Sequence, residues 1–154
     1  MNGHKVLLPY NFTGQDQKAL DFVVQTFVHV KNCQVALFNT YTPIPDIDKK
    51  ENRVMEKIQN NLHYLRKMIK DQENSLKAAQ EHLITNGFSE DRVQISFKPR
   101  KKDIAGQIIQ EAHHGNFNVV VLNRKPGKVS RFFLGSVFNK VVVALKNATV
   151  CIVS

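Results

Sequence analysis

The chain has no tryptophan, only two cysteines and three tyrosines, and no long hydrophobic run. Its longest apolar stretches are five or six residues, as in Val141-Val142-Val143-Ala144-Leu145. A bilayer span needs roughly 20 apolar residues, so no membrane helix is expected. Cys33 and Cys151 lie far apart and show no metal-ligand spacing. Two free thiols in a reducing cytoplasm are the expectation. One early lysine and an apolar stretch broken by Pro9 do not make a signal peptide. Linkers, internal repeats and low-complexity tracts are missing, so residues 1–154 read as one domain. Acidic residues are scarce in the last third. Residues 98–154 carry 10 Lys/Arg against two acids, whereas residues 1–97 carry 12 against 11. The net charge of +9 is therefore regional. That suits an anionic ligand or surface, or equally a solvated basic face.

What is present is an alternation of strand and helix patterns. Residues 5–10 are continuously apolar enough for a strand buried on both faces, as in a parallel sheet. Asn11-Phe12-Thr13-Gly14 follows, with Thr13 as a candidate N-cap and Asp16 three residues on in place of the usual Glu. Ala19, Leu20, Val23, Val24 and Phe27 mark one face of the first helix. Residues 34–39 read as the second strand, ended by Thr42-Pro43-Ile44-Pro45. From about 49 to 86, Val54, Ile58, Leu62, Leu65, Ile69, Leu76 and Leu83 recur at helical spacing, with Gly87 as the stop. This pattern allows one helix or two broken near 71–74. Residues 93–97 form the third strand. Asp103 caps a helix over 104–114 with Ile104, Ile108, Ile109 and Ala112 inward and Gly115 at its end. Residues 119–122, a helix from Ser136 to about Lys146, and residues 149–153 complete the series. The order βαβαβαβαβ implies a parallel sheet with helices on both faces. An apolar last strand at a sheet edge needs covering, and a two-fold partner presenting the same strand is the economical cover.

The loops after the first and fourth strands hold the candidate site. Open α/β sheets bind ligands in a crevice at such strand ends. The stretch Leu122-Asn123-Arg124-Lys125-Pro126-Gly127-Lys128-Val129-Ser130-Arg131 is basic, and Gly135-Ser136-Val137 opens a helix. Helix N-termini and basic side chains suit phosphate.

Two segments resemble the universal stress protein family. They are Val6-Leu7-Leu8-Pro9-Tyr10-Asn11-Phe12-Thr13, followed by Lys18-Ala19-Leu20, and the closing Val119-Val120-Val121-Leu122, Phe133-Leu134-Gly135-Ser136-Val137, Lys140-Val141 and Thr149 to Val153. The resemblance covers essentially the whole chain. It implies a three-layer α/β sandwich of Rossmann type, akin to the adenine-nucleotide hydrolases. The sheet would have five parallel strands in the order 3-2-1-4-5, and a homodimer would form through the last strand, 149–153. Nucleotide-binding members of the family carry Gly, two residues, Gly, nine residues, then Gly and Ser or Thr, and an Asp at the end of the first strand. Here only Gly135-Ser136 is intact. Counting back from Gly135, the first two glycine positions fall on Leu122 and Lys125, or on Asn123 and Pro126 with a one-residue deletion. Gly127 is offset under either count, and Asn11 stands at the Asp position. Asn123 is a residue that tolerates left-handed backbone, whereas Pro126 removes a donor.

The resemblance thus leaves two principal readings. One is a non-enzymatic, cytoplasmic stress-response module whose nucleotide site is altered or lost. The other is an ATP- or ADP-binding switch with magnesium and at most slow hydrolysis. Its ligand would be surrounded by Pro9, Tyr10, Asn11, Thr13, Leu122, Asn123, Arg124, Gly127, Lys128, Gly135, Ser136 and Val137. A third reading is a polyanion binder built on 98–102 and 124–131. The cluster at 98–102 lacks the interleaved aromatics that nucleic-acid readers use, so nucleic acid is not expected as a partner. His113 and His114 are adjacent and point about 100° apart on a helix, which excludes a shared metal and leaves a helix C-terminus role.

Overall fold

The computed structural model describes residues 3–46, 54–124 and 137–154, with no account of the Val54 and Met55 side chains. Five strands form one parallel sheet in the order β3-β2-β1-β4-β5. They are β1 (Lys5–Pro9), β2 (Gln34–Tyr41), β3 (Val93–Pro99), β4 (Val119–Asn123) and β5 (Thr149–Val153). Between them lie α1 (Asp16–Phe27), α2 (Val54–Thr85), α3 (Ile104–His114) and α4 (Val137–Ala144). A single 3-10 turn, Glu90–Arg92, precedes β3.

The period-2 alternation of strand side chains builds both faces of the core. Val6, Leu8, Val35, Leu37, Val119 and Val121 face α1 and α2, where they meet Leu20, Val23, Leu76 and Leu83. Leu7, Ala36, Phe38, Val120 and Leu122 face α3 and α4, where they meet Ala105, Ile108, Ala112, Val141 and Leu145. This explains why β1 and β4 have no polar interior position: each is buried on both faces.

α2 is one uninterrupted helix of 32 residues. Gly87 stops it at φ 117°, with Gly87 N–H on the Ile84 carbonyl (3.0 Å) and Phe88 N–H on that of Leu83 (3.1 Å). That paired closure needs a left-handed residue, the role glycine fills best. The expected apolar face of this helix is buried only in its second half. Leu76, Ala79 and Leu83 are in the core, whereas Ile58, Leu62, Leu65 and Ile69 are half-buried. α3 ends by the same closure, with Asn116 rather than Gly115 as the left-handed residue at φ 53°. Asp103 caps α3 as expected, accepting from Gly106 N–H at 3.3 Å. Lys140 Nζ sits 3.2 Å from its other oxygen and holds the Asp103 carboxyl below its usual range, an exposed link between α3 and α4. Ile104, expected to face inward, is 46% exposed, whereas its neighbour Ala105 is 2% exposed and joins the core. Cys33 is fully buried and Cys151 half-buried; burial pushes both thiols up.

Candidate nucleotide crevice

The sheet order reverses at β1. The chain winds outward through β2 and β3 on one side, then crosses back to β4 and β5 on the other. This is the switch point at which open α/β sheets leave a crevice. Local chemistry widens it. β1 is in register with β2 along its whole length, through Pro9↔Phe38. Its register with β4 consists of Val6↔Val119 and Leu7↔Val120. Backbone N–H groups alternate along a strand: Lys5 N–H turns toward the β4 side, onto the Asn118 side chain, and Tyr10 N–H toward β2, onto the Phe38 carbonyl. Residue 9 therefore faces β4, and as proline it has no N–H to offer. The ladder stops there and the strand ends part.

The resulting cleft has a volume of about 230 Å³. Pro9, Asn11 and Thr13 line it from the β1–α1 turn, and Leu122, Asn123 and Arg124 from the end of β4. Ile104 and Ile108, one helical turn apart on α3, and Val137 and Phe138 on α4 complete the wall. Eight expected site residues thus have described positions, and seven of them converge here. Tyr10 does not: its ring packs edge-on against Phe12 at 5.3 Å, on the α1–α2 side of the sheet. Burial, and then the negative charge of Asp16, push its phenol above the ordinary value. Gly127, Lys128, Gly135 and Ser136 lie outside the described residues, as do Ser130 and Phe132-Phe133. A second cleft, about 250 Å³, lies at the opposite ends of the strands beside His113, Asn116 and Asn147, away from every expected site residue.

Two sequence expectations are corrected here. Thr13 does not cap α1; the cap position is Gln15, which makes no side-chain cap bond. Asp16 instead reaches back, accepting from Thr13 N–H at 2.7 Å and from Asn11 N–H at 3.0 Å. Only the acidic half of a capping box is therefore built. Asn123 is not a left-handed loop residue. It closes β4, 6% exposed, and among the described residues the positive-φ positions other than glycine are Phe12, Asn32 and Asn116. Its amide is a hydrogen-bond hub: Nδ2 donates to Asp16 Oδ1 at 2.5 Å, and Oδ1 accepts from Asn11 Nδ2 at 2.7 Å. Asp16, 1% exposed, is thus the site residue that sequence reasoning missed as such.

The basic cluster at 98–102 is partly committed. Lys98 Nζ pairs with Glu111 at 2.6 Å, and Arg100 donates to Thr40 Oγ1 at 3.2 Å. Among the described residues no group of three or more His, Cys, Asp or Glu is placed to hold a metal. No helix among them is long and apolar enough to cross a membrane.

The fold has counterparts among solved structures. The hypothetical protein MJ0577 superposes with a TM-score of 0.71 at 19% identity, over 99% of this chain and 96% of its own. A universal stress protein in complex with cAMP gives 0.63 at 15% identity, covering 100% and 98%. A universal stress protein from Archaeoglobus fulgidus in complex with dAMP gives 0.61 at 14% identity, covering 100% of both chains. No curated protein sequence matches the chain. The model of the universal stress protein family matches residues 3–152. With the strand order, the split between β1 and β4 and that match together, the chain belongs to the universal stress protein family.

Proposed function

We propose that the protein is a stress-response binding module that takes an adenine nucleotide in the β1–β4 crevice and works as a homodimer through β5. The observation that carries the first half is the crevice itself. Described residues of β1, β4, α3 and α4 line it, and its polar groups are hydrogen-bonded to one another. Two structural neighbours are complexes with cAMP and with dAMP, which supports a nucleotide of this kind. The described walls offer amides, a hydroxyl and a guanidinium among apolar side chains, a set suited to holding a ligand rather than transforming it. ATP or ADP with magnesium belongs among the ligands to test, because Arg124 stands at the β4 end of the crevice where phosphates would lie.

The test is heat release of nucleotide from freshly purified protein, then calorimetric titration of the stripped protein with AMP, cAMP and Mg-ATP. Saturable binding is expected; silence with all three removes the reading. Arg124→Ala should weaken a charged nucleotide by about 3- to 10-fold more than adenosine, the scale of one charge-assisted contact. Equal losses would place the guanidinium away from phosphate.

The homodimer rests on the edge position of β5 and on exposed apolar side chains of β5 and α4. Ile152 is 50% exposed, Val142 47% and Val143 72%. An apolar strand edge of this kind calls for a cover. Ile152→Asp should convert dimer to monomer in sedimentation while leaving the circular dichroism spectrum unchanged. A dimer of undiminished strength would place the interface elsewhere.

A further inference from the structure

A carboxylate accepts hydrogen bonds and donates none. Asp16 is buried in the first turn of α1, behind the crevice wall. Its two oxygens hold the N–H groups of Asn11 and Thr13, which flank Phe12 in its left-handed conformation at φ 58°. Such a conformation is costly for a bulky residue and persists only where neighbours enforce it. The carboxylate is that enforcement.

Its influence extends one step further. A side-chain amide carries its NH2 on one branch and its carbonyl on the other. Asp16 can receive only the NH2 of Asn123, so the Asn123 carbonyl must turn away from it, and there it accepts from Asn11 Nδ2. One N–H of the Asn11 amide is then held by Asn123, which fixes which branch of the amide is the carbonyl and leaves that carbonyl available to a ligand. Asn11 is exposed and lines the crevice.

We propose that Asp16 is a positioning residue that, through Asn123, fixes the amide of Asn11 as a hydrogen-bond acceptor toward the crevice. The fixed carbonyl favours a ligand that donates a hydrogen bond at this point, a sugar hydroxyl in the nucleotide case. The choice of ligand group rests on the nucleotide reading above; the fixed direction of the amide pair does not.

Two measurements test it separately. In the ligand-free protein, the relay predicts a through-hydrogen-bond NMR coupling from Asn11 Nδ2 to Asn123 Cγ. It should disappear in Asp16→Asn, where both of its own partners remain. A coupling missing from the wild type, or intact in Asp16→Asn, overturns the relay. The wild-type spectrum alone decides if that variant does not fold. In the ligand arm, AMP is compared with its 2′-fluoro and 3′-fluoro analogues, whose fluorine cannot donate. At least one should bind the wild type about 10-fold more weakly, a ratio worth about 1.4 kcal/mol. Asp16→Asn should reduce the ratio to within about 3-fold, since a neutral amide lets the pair invert. Equal affinity of the wild type for all three, or an unchanged ratio in a folded Asp16→Asn, overturns the selection. Failure of AMP itself to bind removes the nucleotide reading, and the coupling then decides the relay.

Discussion

Leu76→Ala should destabilise the protein by about 3 kcal/mol, while Leu62→Ala, in the same helix, should cost no more than about 1 kcal/mol. The two leucines sit on the same stripe of α2, fourteen positions apart. Leu76 is completely buried, in the cluster that contains Leu8, Leu20 and Leu37. Truncating it removes the transfer free energy of the lost carbons and leaves a cavity that β1, β2 and α1 cannot close. Leu62 is half-buried and belongs to neither core cluster. Truncation there leaves a surface notch that water fills. For a chain of this size each kcal/mol shifts the melting temperature by about 2–4 °C. A fall of about 6–12 °C is therefore expected for Leu76→Ala, and about 4 °C or less for Leu62→Ala. Urea unfolding with unchanged m-values would confirm that the native state itself has lost stability. Equal losses for the two variants would mean that the first half of α2 is covered in solution.

That contrast shows where the sequence was informative and where it was silent. Apolar runs located β1 and β4 because a strand buried on both faces has no polar positions to confuse it. Asp103 and Gly87 marked helix ends because capping is settled within a few residues. The stripe from Ile58 to Leu83 established a helix but not what it packs against. A helix of 32 residues is about 48 Å long, and the longest strand on its face, β2 with eight, spans about 26 Å. Half the stripe therefore outruns the sheet. Ile104 was misjudged on spacing: it matches Ile108, but it stands one turn higher, at the mouth of the crevice. The role of Asp16 left the faintest signal. An acid three residues after Thr13 suggested a capping pair, yet its decisive partner, Asn123, is 107 residues away. Contacts across such a distance leave no periodic trace. Asn123 itself was assigned to a loop by counting glycine positions, whereas a hydrogen-bond hub needs it at the end of a strand.

The exposure of Ile104 makes the second large effect available. Ile104→Trp should reduce nucleotide affinity by at least about 30-fold, roughly 2 kcal/mol, with little change in stability. Ile104 opens α3 and lines the crevice while remaining 46% exposed. A larger side chain there does not overpack the core, because the extra volume goes into the cleft and the solvent. The cleft holds only about 230 Å³, so an indole takes space that a nucleoside would need. Ile108, one turn further in, would be a poor choice. It is 2% exposed, and enlarging it would strain the sheet as well as fill the crevice. Tyr64→Trp supplies the comparison, because Tyr64 is 63% exposed on α2 and does not line the cleft. Titration of both variants with AMP should separate them, with Tyr64→Trp close to wild type and Ile104→Trp nearly silent. Full affinity in Ile104→Trp would place the ligand outside the crevice. The cleft of about 250 Å³ beside His113 and Asn116, at the opposite ends of the strands, would then be the next place to test.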